Sequence, residues 1–253
     1  MKVLVIDVGG THVKVLATGK RARREFPSGP TMTPQQMVSG VLKITNDWKY
    51  DVVSIGYPGP VLLGKPVAEP RNLGPGWVGF DFQAAFRHPV KIVNDAAMQA
   101  LGSYKSGKML FLGLGTGLGS ALILDGIMEP LEMGHLPYRK KTFEDYVGVR
   151  ALEKHGAKKW RREVVKAVTC LIAALEPDDV VLGGGNVKKL KELPEGTRAG
   201  DNNNAFLGGF RLWEEYPSRP SLAAKTRLQR TDKKRKEQPR GSAHRFADRR
   251  SAA

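Results

Sequence analysis

The segment Asp7–Lys14 combines a carboxylate, two adjacent glycines and a lysine directly behind the apolar run Val3–Ile6. This pattern predicts a strand, a tight turn and a second strand. Glycine lets backbone N–H groups approach an anion closely, so such a turn suits phosphate binding. An ordinary Gly-Gly turn between two buried strands has the same pattern, and the motif alone leaves both interpretations open.

A second turn of the same kind follows about a hundred residues later. Gly115–Gly119 joins two apolar runs, Met109–Leu114 and Ser120–Leu124, and predicts another strand-turn-strand unit. A third glycine turn, Gly183–Gly185, follows the short apolar run Asp179–Leu182. Two phosphate turns between strands indicate two similar lobes that face each other across a cleft.

Asp95 is the candidate catalytic base. It follows the apolar run Val90–Val93 and opens a predicted helix, so its carboxylate would be held rigidly at a sheet edge. A carboxylate in that position can accept the proton of a hydroxyl that attacks phosphorus. Aspartate is also a common N-cap residue. The two roles are compatible, and the sequence does not separate them.

A further polar set consists of Glu132 and His135, three residues apart around Gly134, and Glu144 at the start of a predicted helix. Sugars need several planar acceptors and donors that match their hydroxyl groups. Glu, His and Asn side chains supply such groups. A lone His in a loop rich in glycine and proline is, however, more often structural.

Alternating strands and helices must position these residues. Strands are predicted at 3–8, 12–18, 52–57 and 90–95, with helices at 34–46 and from 95 to about 104. Thr33–Gln36 has the composition of a helix start. Helices are also predicted at 142–155, 158–175 and 203–216, and apolar residues recur at helical spacing in the second of these: Trp160, Val164, Val168, Leu171, Ile172 and Leu175. The alternation predicts an α/β fold with ligands gathered at strand ends.

Short motifs in a fixed order cover residues 1–216: Asp7–Lys14, Tyr57–Pro60, Asn72-Leu73 with Trp77, Val93–Ala96, Gly115–Gly119, Glu132–His135, Leu182–Gly185 and Ala205–Gly209. Together they resemble the superfold of sugar kinases, heat-shock ATPases and actin. Within it the chain resembles the ROK family, which includes glucokinases and polyphosphate glucokinases. The resemblance implies a two-lobed, actin-like (ribonuclease H-like) α/β fold with lobes at 1–107 and 108–202, and a closing helix at about 203–216 that packs back on the first lobe.

The implied activity is transfer of a phosphoryl group from ATP or inorganic polyphosphate to a hexose hydroxyl, and the expected cofactor is Mg²⁺. The foremost expected acceptor is glucose, which would give glucose 6-phosphate. The resemblance assigns the sugar to Asn72, Asn94, Asp95, Glu132, His135 and Glu144. It assigns the phosphates to Asp7, Gly9, Gly10, Thr11, Lys14, Thr116 and Gly117, with Gly183, Gly184 and Gly185 against adenosine. Asp7 would face the phosphates through Mg²⁺, because a carboxylate repels phosphate unless a cation bridges them.

The chain departs from many ROK members in one segment. They carry a Cys-rich zinc loop after the histidine, whereas Leu136–Lys141 contains no cysteine, so we expect no zinc. The pattern Gly-His-x-Pro-Tyr is similar to the polyphosphate-glucokinase branch, which lacks that zinc. The basic helix around Lys154–Lys166 could hold a long anionic donor, although a solvated helix face commonly explains such charge.

The chain has 253 residues and a formal net charge of +16, of which +9 lies from Pro217 onward. This segment, 217–253, has few large apolar residues and is predicted to be a disordered tail that binds polyanions without specificity. The single cysteine, Cys170, excludes an internal disulfide, suits the cytoplasm and is predicted to be buried in a helix. We expect no signal peptide, membrane partner or specific nucleic-acid partner; a homodimer is expected by analogy with the family.

Two other functions compete with the kinase. A sugar-sensing transcription regulator of the ROK type would carry a DNA-binding helix-turn-helix before the first phosphate turn, where this chain has a strand from residue 3. A sugar-independent ATPase of the same superfold would share the phosphate turns but would not explain Asn94-Asp95 or the Glu132 and His135 pair. A substrate screen with both donors separates these hypotheses.

Overall fold

The computed structural model describes residues 1–201 and 203–214. The tail predicted at 217–253 lies outside the described residues. In the described part of the chain, no helix has both the length and the apolar character needed to cross a membrane.

The first half of the chain forms a five-stranded sheet. Its strands are β1 (Val3–Val8), β2 (His12–Ala17), β3 (Arg24–Pro27), β4 (Val52–Tyr57) and, after the hairpin strands β5 (Val61–Leu62) and β6 (Lys65–Pro66), β7 (Val90–Asn94). The sheet order is β3-β2-β1-β4-β7, with β1, β4 and β7 parallel. Three helices accompany it: α1 (Pro34–Ile44), α2 (Phe82–Phe86) and α3 (Asp95–Ser103).

The second half repeats this arrangement. Its sheet contains β8 (Lys108–Leu114), β9 (Leu118–Leu124) and β10 (Ile127–Leu131), followed, after the hairpin strands β11 (Pro137–Tyr138) and β12 (Lys141–Thr142), by β13 (Asp179–Gly183) and β14 (Arg198–Ala199). The order β10-β9-β8-β13-β14 again places two antiparallel strands beside three parallel ones. The helices are α4 (Phe143–Val147), α5 (Val149–Leu175) and α6 (Asn204–Arg211). The division into lobes at 1–107 and 108–202 stays a proposal.

Local sequence explains most element boundaries. Thr33 and Gln36 form the expected capping box of α1, with Pro34 at the first helical position. The strands β1, β4 and β8 are rich in Val, Ile and Leu because they are covered on both faces.

The break predicted between helices at 155 and 158 is confirmed, because Gly156, with a φ of 74° and a ψ of 161°, is not helical and divides α5 at this point. Other predicted boundaries were wrong. The further break at Gly148, which separates α4 from α5, was not predicted. The last helix ends at Arg211 rather than 216. The strands β3, β10 and β14 and the short helix α2 were not predicted.

The prediction that Cys170 is buried is also wrong, because its side chain is exposed. After Gly156, the buried apolar residues of α5 are Trp160, Val164, Ala167, Val168 and Leu171. Cys170 lies beside these residues on the solvent side of the helix.

Helix α3 lies between the two sheets. Ala96, Ala97, Ala100 and Leu101 pack with Met109, Phe111, Ala121 and Ile123 of the second sheet. Met98, on another side of the same helix, packs with Val3 and Val5 of the first sheet and with Phe206 of α6. The start of α3 is therefore fixed relative to both sheets.

Glycines allow α3 and α6 to approach each other closely. A Cβ atom on Gly102 would clash with the Asn204 carbonyl, and one on Gly208 would clash with the Met98 carbonyl. Gly209 packs in the same way against Val5 of β1, and its carbonyl accepts a hydrogen bond of 2.6 Å from Ser54 Oγ. Helix α6 is thereby joined to both α3 and the first sheet.

We predict that Gly208→Ala lowers the free energy of unfolding by about 1–3 kcal/mol, the range for overpacked cores. Urea unfolding followed by circular dichroism measures the loss. Gly185→Ala is the matched control, because its Cβ would meet open space and the change should stay within about 0.5 kcal/mol. Equal effects of the two substitutions would contradict the close packing of α3 on α6.

Candidate active site

The carboxyl ends of β1, β4 and β7 form the floor of the site. Asp7, Gly56 and Val93 are lateral neighbours in the strand register, so Asp7 lies on the same sheet face as Gly56. A Cβ on Gly56 would collide with Met98 and lie 3.7 Å from the Cα of Asp95. Asp7 therefore shares its face of the sheet with the start of α3.

Asn94, not Asp95, is the N-cap of α3. The Asn94 Oδ1 accepts hydrogen bonds from the backbone N–H groups of Ala96 (2.9 Å) and Ala97 (3.3 Å), and its Nδ2 donates to the Gly59 carbonyl at 3.0 Å. The interpretation of Asp95 as the cap is therefore wrong. Asn94 connects the loop after β4 to the first turn of α3, and its Nδ2 carries a second N–H that can serve a ligand.

Asp95 is the first residue of α3, and its Oδ1 accepts from the Ala96 N–H at 2.7 Å. Burial, the negative charge of Asp7 and, to a lesser extent, that of Glu132 raise the pKa of Asp95 to about 7. A carboxylate that titrates near neutrality has the basicity that a general base needs at physiological pH.

A cavity of about 420 Å³ opens beside Asp95, and we call it the carboxylate cavity. It brings together all six residues predicted to bind sugar: Asn72, Asn94, Asp95, Glu132, His135 and Glu144. Its other walls include the predicted phosphate residues Thr116 and Gly117, Gly184, and four polar residues that were not predicted: Glu69, Arg71, Gln99 and Ser120.

Glu132 and His135 are presented by the loop after β10. The Ser120 hydroxyl is buried; it donates to the Leu131 carbonyl at 2.8 Å and accepts from the Met133 N–H at 3.0 Å. The His135 Nδ1 lies 3.9 Å from the Glu132 Oε2. Both side chains are more than half exposed, so they remain accessible to a ligand in the cavity.

Glu144 lies in the first turn of α4, which begins with a capping box between Thr142 and Asp145. Its Oε1 accepts from the Arg71 Nη1 at 2.9 Å, so this ion pair joins the two halves of the chain across the cavity. Sequence reasoning missed Arg71. The available indication was a cation next to the predicted sugar contact Asn72 in a loop rich in glycine and proline.

The first glycine turn, Asp7–Lys14, does not line the carboxylate cavity but adjoins it. The Gly9 N–H donates to the His12 carbonyl at 3.0 Å, which leaves Gly10 and Thr11 as the amides better suited to a phosphate. A Cβ on Gly10 would lie 2.9 Å from the Cβ of Asn72, which lines the cavity.

Asp7 and Lys14 form an ion pair of 3.6 Å at the base of this turn. Burial raises the pKa of Asp7, while the charge and hydrogen bond of Lys14 oppose the shift. No group of three or more His, Cys, Asp or Glu residues that could hold a metal occurs in residues 1–201 and 203–214. Mg²⁺ is commonly bound by one or two carboxylates together with substrate phosphates, and a lone Asp7 beside a phosphate turn fits that type of site.

The second glycine turn, Gly115–Gly119, is held by three elements. The Thr116 carbonyl accepts from the Val149 N–H at the start of α5 (3.1 Å), and the Gly115 carbonyl accepts from Asn186 Nδ2 (3.0 Å). Gly119 lies against Ala96 of α3, where an added Cβ would come within 2.8 Å of the Ala96 Cβ. The turn is therefore fixed next to Asp95.

The third glycine turn reaches the carboxylate cavity only through Gly184. Gly183 lies against the Phe111 ring, and Gly185 borders open space. The Asn186 side chain connects this turn to the second one.

A second cavity of about 700 Å³ adjoins the first, and we call it the basic cavity. The two share Arg71, Asn72, Thr116 and Glu144. The remaining walls of the basic cavity are Lys141, Asp145, Tyr146, Arg150, Ala151, Lys154 and His155. Of its cations, sequence reasoning had identified only Lys154, as part of a basic helix.

Comparisons with known proteins show which proteins this chain is similar to. A polyphosphate glucokinase of Mycobacterium tuberculosis (strain H37Rv) is 28% identical over 206 residues, which cover 73% of this chain and 77% of that protein. A protein of Bacillus subtilis named putative fructokinase is 27% identical over 233 residues, with 71% and 76% covered.

Among solved structures, the inorganic polyphosphate/ATP-glucomannokinase of Arthrobacter sp. strain KM superposes with a TM-score of 0.71 at 22% identity. The superposition covers 82% of this chain and 96% of that one. The predicted two-lobed, actin-like α/β fold is thereby confirmed.

The sequence profile of the ROK family matches residues 3–148. Six of the eight motifs that suggested this family lie inside the matched range, among them the two glycine turns at Asp7–Lys14 and Gly115–Gly119. The motifs Leu182–Gly185 and Ala205–Gly209 follow it. Since the match covers more than half of the chain, this protein belongs to the ROK family.

Proposed function

We propose that this protein is a sugar kinase that transfers a phosphoryl group from ATP or inorganic polyphosphate to a hexose hydroxyl, foremost the 6-hydroxyl of glucose. The observation that carries the proposal is the convergence of six polar side chains on one cavity, among them the Asp95 carboxylate, whose pKa is raised. The relatives support it, because one is named a polyphosphate glucokinase and another a putative fructokinase.

Asp95 acts as the general base in this proposal. It accepts the proton of the sugar hydroxyl while the hydroxyl oxygen attacks the terminal phosphorus of the donor. The bond between that phosphorus and the oxygen of the leaving chain breaks, and the proton on Asp95 passes to solvent after release of the sugar phosphate. Its position at the start of a helix held between two sheets keeps the base in place during the reaction.

The other residues bind and orient. Asn72, Asn94, Glu132, His135 and Glu144 hold the hydroxyl groups of the sugar. The amides of the two glycine turns at Gly10, Thr11, Thr116 and Gly117 hold the donor phosphates, with Gly9, Lys14 and Asp7 completing this side. Gly183, Gly184 and Gly185 face the adenosine when ATP is the donor.

Mg²⁺ fits this chemistry, with Asp7 as the residue that would hold it through phosphate or water. When bound, the ion neutralises charge on the donor phosphates. The polar cavity also explains why a kinase is preferred over the two alternatives. A regulator has no need for a base of raised pKa, and a sugar-independent ATPase has no need for the sugar-binding set.

We also propose a cytoplasmic homodimer. The cytoplasmic part is supported by the single, exposed and unpaired Cys170, which suits a reducing compartment. The dimer rests on analogy with the family.

We predict that Asp95→Asn lowers kcat for glucose phosphorylation by about 100-fold or more, the usual range for loss of a general base. The KM for glucose should change by less than about threefold, because the asparagine keeps the acceptor for the Ala96 N–H. A coupled assay for glucose 6-phosphate measures both constants. Asp125→Asn, an exposed residue in the turn between β9 and β10, is the control and should retain full activity. Retained activity in Asp95→Asn would rule out this base.

The pH dependence of kcat/KM follows from the same pKa. Only ionised Asp95 can accept a proton, so we predict that kcat/KM for glucose rises with pH with unit slope until about pH 7 and then levels off. The rate at pH 5 should be about 100-fold below that at pH 8. Asp95→Asn should lack this rise. If kcat/KM instead levelled off already above about pH 4, the pKa of the base would not be raised.

The stability of the folded protein should change with pH in the opposite direction to kcat/KM. The folded state holds the proton of Asp95 up to about pH 7, above the ordinary value of 3.8, so the wild-type protein loses stability as the pH rises through this interval. We predict that Asp95→Asn raises Tm, and by more at pH 8 than at pH 5. Calorimetry at the two pH values measures the shift; a lower Tm at pH 8 would contradict it.

A further inference from the structure

Charge divides the two adjoining cavities. The carboxylate cavity contains Glu69, Asp95, Glu132 and Glu144. The basic cavity contains four permanent cations and one histidine against two carboxylates: Arg71, Lys141, Arg150, Lys154 and His155 against Glu144 and Asp145. A neutral, hydroxyl-bearing acceptor suits the first set of side chains, and a polyanion suits the second.

We propose that the basic cavity holds the phosphate chain of a linear polyphosphate donor, whose terminal group reaches the carboxylate cavity at the shared residue Thr116. This inference rests on the proposed function, because it specifies the donor of the same transfer. The cavity volume of about 700 Å³ is within the usual range for ligand pockets and can hold several phosphate units.

The cations of the basic cavity are available to a ligand. Within the described residues, Lys141, Arg150 and Lys154 have no carboxylate oxygen within 4.0 Å. Of the two carboxylates of the cavity, Glu144 pairs with Arg71. Asp145 accepts hydrogen bonds from Thr142, and its charge interacts with those of Lys141 and Arg150. Because this single carboxylate faces Lys141, Arg150 and Lys154, the wall keeps an excess of positive charge.

The pKa of His155 agrees with this charge excess. Desolvation and the positive charges of Lys159, Lys154 and Lys141 lower the pKa of the imidazole. An anion bound in the cavity would oppose these charges.

Local structure fixes the cations in place. Arg150 and Lys154 are four residues apart on α5, so they lie on one face of the helix. The helix start is attached to the second glycine turn by the Val149 N–H bond to Thr116. Lys141 comes from the hairpin of β11 and β12, whose tip residue Arg139 pairs with the largely buried Glu163 of α5 at 3.0 Å.

The lining of the two cavities also predicts different binding sites for ATP and for polyphosphate. Gly184, from the turn assigned to adenosine, lines the carboxylate cavity and not the basic one. A nucleotide and a polyphosphate chain would then share the transfer position at Thr116 but leave it in different directions. Loss of the basic cavity should therefore affect polyphosphate more than ATP.

The proposed step balances with these groups alone. The P–O bond between the terminal phosphorus and the bridging oxygen breaks, and a P–O bond to the sugar hydroxyl oxygen forms. The hydroxyl proton goes to Asp95. The shortened polyphosphate carries the negative charge of the leaving group, and the cations of the basic cavity stabilise it.

The test is the double variant Arg150→Gln/Lys154→Gln. We expect the KM for long-chain polyphosphate to rise at least about tenfold, from the loss of two charge-assisted contacts. The KM values for ATP and glucose should stay within about twofold of wild type. Lys158→Gln/Arg162→Gln is the matched control: it removes one lysine and one arginine, four residues apart on the same helix, both exposed and outside the cavity. Thermal melts confirm that both variants are folded.

Binding gives a second readout that does not depend on turnover. NMR titration of the imidazole, assigned with His155→Gln, should show that tripolyphosphate raises the pKa of His155 in the wild-type protein. The same addition should produce a smaller rise in Arg150→Gln/Lys154→Gln.

The outcomes distinguish this inference from the proposed function. Equal effects of the two double variants, or equal effects on ATP and polyphosphate, would overturn the inference. A wild-type protein that phosphorylates glucose with ATP but not with polyphosphate would overturn it too, while leaving the sugar kinase intact. Absence of transfer from either donor would instead refute the sugar kinase itself.

Discussion

The position of the site depends on the close packing of helix α3 between two sheets and against α6. Glycine and alanine make this packing possible: Gly56 lies under the first turn of α3, Ala96 packs against Gly119, and Gly102 packs against the backbone of α6. Because the helix is fixed on several sides, its first two residues have fixed positions as well. Asn94 caps the helix and Asp95 projects at the carboxyl edge of the first sheet, next to the second glycine turn.

The charges around Asp95 give the surrounding groups different roles. Burial and the neighbouring Asp7 raise the pKa of Asp95, which costs folding stability and supplies basicity in return. One adjoining cavity is lined by carboxylates and the other by cations, and the Arg71–Glu144 ion pair lies on their common wall. In the proposed reaction, an uncharged sugar in the carboxylate cavity and an anionic donor in the basic cavity meet near the shared Thr116.

The family, the fold class and the six side chains gathered in the carboxylate cavity were predictable, because short motifs with glycine turns depend on local backbone chemistry. The alternative role of Asp95 as the N-cap of α3 was wrong: Asn and Asp both suit that position, and Asn94 occupies it, because its Oδ1 accepts from the Ala96 and Ala97 N–H groups. Arg71 and all cations of the basic cavity except Lys154 were missed, because the residues at 141–155 form a cavity only together with Arg71, Asn72 and Thr116, which are distant in sequence. Cys170 was wrongly predicted to be buried, because it lies directly beside the buried side of α5 and a shift of one position around the helix makes a side chain exposed. The roles of the site residues stay predictions.

The central claim is that the carboxylate cavity binds the acceptor and that Asp95 reaches its reacting hydroxyl. A crystal structure of the protein with glucose tests this most directly. The account predicts glucose in the carboxylate cavity, with its 6-hydroxyl within hydrogen-bonding distance of the Asp95 carboxylate, about 2.5–3.0 Å, and its other hydroxyls on Glu132, His135 and Glu144. Glucose bound elsewhere, or bound there with the 6-hydroxyl turned away from Asp95, would contradict it.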